Sequence, residues 1–154
     1  MVDILHQRRR RVVMLGMPAA LATSILGERA AAQPRQVRAS RPDHAAFAQR
    51  ALAMRELAQT SGDQPYGAAI VRDGSIVVEA PSRAVLDGDP TVHAEMQAIR
   101  PAANQLNSGN LGGCVMYSSA RPCPMCEAAA YWAGIERMYH GGAAADAGAP
   151  TLCG

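Results

Sequence analysis

Pro122-Cys123-Pro124-Met125-Cys126, preceded by the apolar run Cys114 to Ser118, reads as a strand that ends and a helix that begins with two thiols three residues apart. Residues three apart share a helix face, and a helix N-terminus favours the thiolate that a metal ion requires. Pro122 has no N–H to leave unpaired, so the predicted helix starts at Arg121-Pro122 and runs through Ala133. Thirty residues before Cys123, His93-Ala94-Glu95 adds an imidazole and a carboxylate to a second predicted helix, Thr91 to Gln105. His93, Cys123 and Cys126 make three protein ligands for a zinc ion, with Glu95 left free beside them. A structural zinc takes four protein ligands, whereas a catalytic one keeps a position for water, and the free carboxylate is then a proton shuttle. Positions i and i+2 lie about 200° apart on an ideal helix, so His93 and Glu95 meet one ion only where the backbone departs from it.

Outward from these segments, apolar spacing predicts a helix from an Asp43 N-cap to Thr60, with Phe47, Leu52, Met54, Leu57 and Ala58 inward. Tyr66–Arg72 and Ser75–Ala80 read as strands joined by Asp73-Gly74, a strong hairpin signal. Ile135–His140 makes a fourth strand, and the Gly/Ala-rich tail from Gly141 reads as irregular. The predicted order α-β-β-α-β-α-β implies a mixed sheet with helices packed on it. Pro101 lies within the second helix and is expected to kink or shorten it.

All 15 basic residues are Arg, five of them before residue 33, and the remainder of the chain holds ten Arg against eleven acidic residues. That balance has neither the basic run nor the basic surplus typical of a nucleic-acid binder. Residues 1–32 read as an export signal: Arg8 to Arg11, a modestly apolar stretch, then Ala30-Ala31-Ala32 before Gln33. The arginine pair resembles a twin-arginine signal, which implies a periplasmic product cut after Ala32, and the apolar run is too short for a stable membrane span. Residues 33–42 read as a linker and 43–154 as the zinc-dependent domain. Of four cysteines, Cys123 and Cys126 are assigned to the metal rather than to disulfides, Cys114 reads as a buried small residue, and Cys153 has no evident partner. His44 and His140 read as surface or core residues, and Tyr131-Trp132 as helix packing.

The combination H-x-E…P-C-x-x-C is similar to the signature of zinc nucleobase deaminases, and from His44 to Asp146 the chain resembles the cytidine-deaminase-like superfamily. Gln64-Pro65-Tyr66-Gly67-Ala68-Ala69-Ile70-Val71, Asp89 to Glu95 and Cys123 to Ala133 resemble the bacterial guanine and nucleoside deaminase branch, with the tRNA adenosine deaminases next. The resemblance implies an α/β fold, a three-layer α/β/α sandwich around a mixed five-stranded sheet, here C-terminally short. It also implies a Zn2+ cofactor and a homodimer that deaminates a small nucleobase or nucleoside, a free purine or related amino-heterocycle, without nucleic-acid partners. Substrate contacts are expected from Tyr66, Gly67, Ala68, Ser82 and the backbone near Ala94. Three departures stand out. Ser82 replaces the family's usual Asn; Ala120-Arg121 replaces Cys-Glu; and only 28 residues follow Cys126, so the fifth strand and last helix are expected to be absent or vestigial. These motivate a rival reading, a zinc-stabilised binding or remnant protein without turnover.

Overall fold

In the computed structural model, residues 43–152 are described; residues 1–32, read as an export signal, residues 33–42, read as a linker, and Cys153 lie outside them. The elements are α1 (His44–Thr60), β1 (Gly67–Arg72), β2 (Ser75–Pro81), α2 (Ala94–Gln105), β3 (Cys114–Ser118), α3 (Pro124–Trp132), β4 (Arg137–His140) and β5 (Ala145–Gly148). They build one five-stranded mixed sheet in the order β2-β1-β3-β4-β5. β1 runs antiparallel to β2 and β3, β3 is parallel to β4, and β5 returns antiparallel to β4.

Alternation along the strands divides the core in two. Ala68, Ile70, Cys114 and Met116 face α2 and α3 in the larger cluster. Val71 and Tyr117, with Val115 and Tyr139, face Ala48 and Ala51 of α1. The result is the α/β/α sandwich. α1 starts as expected, with the Asp43 carboxylate accepting from the Ala46 N–H at 3.0 Å. Its buried face differs from the expected one: Ala48, Ala51 and Ala58 are inside, whereas Leu57 is 47% exposed. β1 begins so close to α1 that small side chains are needed there. A Cβ on Gly67 would collide with the Ala51 carbonyl and the Arg55 amide, and would sit 2.7 Å from the Met54 carbonyl carbon.

The Asp73-Gly74 hairpin is present, both residues taking positive φ of 51° and 73°, as a two-residue turn between twisted strands demands. α2 continues through Pro101 to Gln105. The tail corrects the expectation of irregular structure: of the fifth strand and last helix expected to be absent or vestigial, a short strand is present, and no helix follows it among the described residues. Ala145–Gly148 forms β5, tied by Arg137 to Asp146, and beyond it the Thr151 hydroxyl donates to Glu127 at 2.9 Å. β5 is short, and Gly and Ala give it no apolar alternation to read. Among the described residues, no helix is long and apolar enough to cross a membrane.

Candidate metal centre and cleft

β3 and β4 are parallel, so the turn after β3 opens at the carboxyl edge of the sheet, where ligands gather in α/β folds. β1 runs the other way and begins at that same edge: Ala68 pairs with Ser118. The β3–α3 turn is fastened to the start of β1. The Ser119 N–H donates to the Gly67 carbonyl at 2.8 Å, and the Gly67 N–H donates to Ser119 Oγ at 3.0 Å.

The first ligand of each metal segment lies just before its helix, while Cys126 lies inside α3. His93 is the N-cap of α2, with extended backbone (φ −67°, ψ 158°), and Cys123 is the N-cap of α3 (φ −74°, ψ 165°). This corrects the predicted starts at Thr91 and Arg121. Pro124, not Pro122, occupies the first helical position, which suits its missing N–H. The extended His93 backbone also removes the angular difficulty, because His93 and Glu95 are not both on one regular helix. The approach to His93 is fixed upstream by Asp89, whose carboxylate accepts from the Thr91 N–H and hydroxyl, each at 2.7 Å. Those two bonds hold the Asp89 carboxyl below its ordinary value.

The ligand atoms of His93, Cys123 and Cys126 all lie within 4.8 Å of one another. His93 Nδ1 is 3.6 Å from Cys123 Sγ and 3.7 Å from Cys126 Sγ. Zn–S bonds of about 2.3 Å and Zn–N bonds of about 2.0–2.1 Å at a tetrahedral angle put sulfur and nitrogen about 3.6 Å apart. The donor set therefore fits zinc in kind and in spacing, through Nδ1. Cys126 is buried, and burial pushes its thiol up, with Glu95 and Cys123 reinforcing the shift. The expected lowering by the helix N-terminus is outweighed. A cation between the sulfurs reverses this balance, since a coordinating thiol is deprotonated outright.

Glu95, in the first turn of α2, is 7% exposed. It lines a cleft of about 340 Å³ together with Gln64, Tyr66, His93, Ala120, Arg121 and Cys123. Such a volume suits a small heterocycle. Tyr66, 42% exposed, is thus a wall of the cleft.

The other expected contacts lie outside the lining of the cleft. The Gly67 N–H and carbonyl are both taken by Ser119. Ala68 is in the strand ladder and buried in the core, and Ala94 is buried beside it. Ser82 is also buried, its hydroxyl donating to Asp63 and its N–H to the Tyr66 carbonyl at 3.0 Å. None of these four lines the cleft. Gln64 and Arg121 do, and sequence reasoning did not place them there. The signal for Arg121 was its position two residues before Cys123; Gln64 offered none. Elsewhere, His44 is a packing residue, its Nδ1 2.7 Å from the Tyr117 hydroxyl. Burial, then Tyr139, push Tyr117 up to about 12. Cys114 is buried as expected. Tyr131 and Trp132 form an edge-on pair, but Trp132 is 73% exposed, so the pair does not pack within the domain as expected.

Residues 41–141 match the model of the cytidine and deoxycytidylate deaminase zinc-binding region. The chain belongs to this family. Its members are zinc-dependent hydrolytic deaminases, and the His93, Cys123 and Cys126 group is what this member offers the metal. Guanine deaminase of Bacillus subtilis is 38% identical over 106 residues, 68% of each chain. The tRNA-specific adenosine deaminase of Aquifex aeolicus is 39% identical over 89 residues, 56% of this chain and 59% of that one. The crystal structure of the Bacillus subtilis guanine deaminase superposes with a TM-score of 0.62 at 38% identity, over 64% of this chain and 63% of that one. The chain thus spans about two thirds or less of the relatives it matches.

Proposed function

We propose that this deaminase hydrolyses the exocyclic amine of a free purine base, most simply guanine, and releases ammonia. The observation that carries the reading is the tetrahedral spacing of the His93, Cys123 and Cys126 donor atoms beside Glu95 in a cleft sized for one heterocycle. When bound, zinc would supply a Lewis acid that lowers the pKa of water towards about 7. The chain's own residues do the rest. Glu95 accepts a proton from the attacking water, hands one to a ring nitrogen and later one to the departing amine. Water adds its oxygen to the amine-bearing carbon, the C–N bond breaks, and an oxo group and ammonia result. Tyr66 walls the cleft against the planar ring, and the Ser119–Gly67 bonds hold that wall in place.

A free base is favoured over RNA by charge: residues 43–152 hold seven Arg against eleven acidic residues, and four of those Arg pair with acids. The tRNA-specific relatives support the second reading, adenosine in RNA. Ammonia release by the zinc-loaded chain across free bases, nucleosides and an adenosine-containing tRNA anticodon stem-loop separates the two. Release from guanine and none from the stem-loop is expected. Release from the stem-loop alone would overturn the proposal, and one bound zinc with no ammonia from any substrate would favour the remnant reading.

Export is likewise our proposal for residues 1–32: Gln33 should be the N-terminus of mature protein recovered from cells, and a retained Met1 or Val2 would refute it. A homodimer is proposed from the family resemblance, checked by sedimentation equilibrium.

A further inference from the structure

Among the described residues, Arg121 is the one arginine that lines the cleft, and it forms no ion pair there. Among the described residues, the ion pairs belong to other arginines: Arg50 with Glu79, Arg72 with Asp73, Arg83 with Asp87 and Arg137 with Asp146. Arg121 makes no such pair and donates no hydrogen bond to those residues. Its backbone is nonetheless fixed, lying between Ser119, which is doubly bonded to Gly67, and Cys123, which caps α3. An anchored, solvent-exposed residue with five N–H donors thus stands at the wall of the space that Glu95 also lines.

We infer that Arg121 binds the adjacent oxo-oxygen and ring nitrogen, O6 and N7, of a 6-oxopurine, and so selects a 2-amino-6-oxopurine. The inference rests on the function proposed above. The carbon that loses its amine must face Glu95 and the three metal ligands. In a 2-aminopurine that carbon is C2, which turns the O6–N7 edge away from the metal and towards the remaining walls. That edge offers two acceptors side by side, the pattern a planar guanidinium fork matches bidentately. A 6-aminopurine would instead set an N–H donor against N–H donors and leave both unpaired. Charge agrees with a neutral base. Two thiolates balance a divalent ion, and Arg121 balances Glu95, so an uncharged ring enters without leaving an excess charge in the cleft.

The test uses the full zinc-loaded chain, wild type and Arg121→Gln, with zinc content measured in both. Hypoxanthine, a 6-oxopurine with no amine to lose, and unsubstituted purine are titrated calorimetrically. Wild type should bind hypoxanthine about tenfold or more tightly than purine, and Arg121→Gln should lose that preference while purine binding stays within about twofold. The kcat/KM for guanine should fall about tenfold or more, and that for 2-aminopurine, which lacks O6, much less. An equal loss for both members of each pair would assign Arg121 a merely structural role and overturn the inference. So would a wild-type preference for guanosine monophosphate over guanine that Arg121→Gln alone abolishes, because the fork would then be holding phosphate. Arg121-dependent hypoxanthine binding without turnover of any purine would instead support the inference and overturn the function on which it was built.

Discussion

Asp63→Ala should destabilise the domain by about 3–4 kcal/mol, although Asp63 touches neither the metal ligands nor the cleft. Its buried carboxylate accepts from the Gln64 N–H at 2.7 Å and from the Val85 and Leu86 N–H groups at 2.9 Å each, and also holds the Ser82 hydroxyl. It thereby ties the end of α1 to the loop that leads from β2 to His93. Leaving a buried donor without its acceptor costs about 1–3 kcal/mol. Three backbone donors taken near the lower end, because the segment is partly solvated, give the stated loss. For a domain of this size that is roughly 4 °C per kcal/mol, or about 12–16 °C in Tm. The carboxyl is held below its ordinary value: burial opposes this, but the bonds from Leu86, Ser82, Gln64 and Val85 together outweigh it. A depressed carboxyl contributes stability above its unfolded pKa of about 3.9 and loses that contribution as pH falls through the folded value. Urea midpoints at pH 7 and pH 3 should therefore converge for wild type and Asp63→Ala, with the variant lower at pH 7. A Tm change below about 3 °C, or an equal gap at both pH values, would refute the reasoning.

Gly67→Ala should cost about 3 kcal/mol by urea denaturation, at the upper end of overpacking, because the new methyl meets α1 backbone and not a movable side chain. A loss below about 1 kcal/mol would mean that β1 and α1 separate easily. Removing zinc with a chelator should lower Tm and leave Cys126 slow towards thiol reagents at pH 7 until the domain unfolds, since burial disfavours its thiolate. Rapid labelling of Cys126 in folded, metal-free protein would contradict that account.

Local signals made much of this fold readable. Asp43 announces α1, Asp73-Gly74 announces the hairpin, and the metal triad with Glu95 follows from residue type and spacing. Helix starts were misplaced at His93 and Cys123 because both ligands take extended backbone just before the helix, a choice that serves the shared ion and leaves no mark in apolar periodicity. β5 is four small or charged residues held by pairing and one ion pair, and so had no pattern to read. Gly67, Ala68, Ser82 and Ala94 are expected at the substrate from their positions in motifs, whereas tertiary bonds to Ser119 and Asp63 and burial in the core keep them out of the cleft lining. Arg121 was visible as a reversed charge, and only the geometry puts it in the cleft. Trp132 shows the opposite failure: its neighbours suggested packing, whereas the end of α3 leaves it in solvent.

The most direct test of the account is Glu95→Gln, because it removes the proton shuttle while leaving all three metal ligands and nearly the same volume. Zinc content and ammonia release from guanine are measured on the same sample. The account predicts one zinc per chain and release slowed by about 10²–10⁴-fold, the usual worth of a positioned general acid/base. Undiminished release with zinc in place would contradict it.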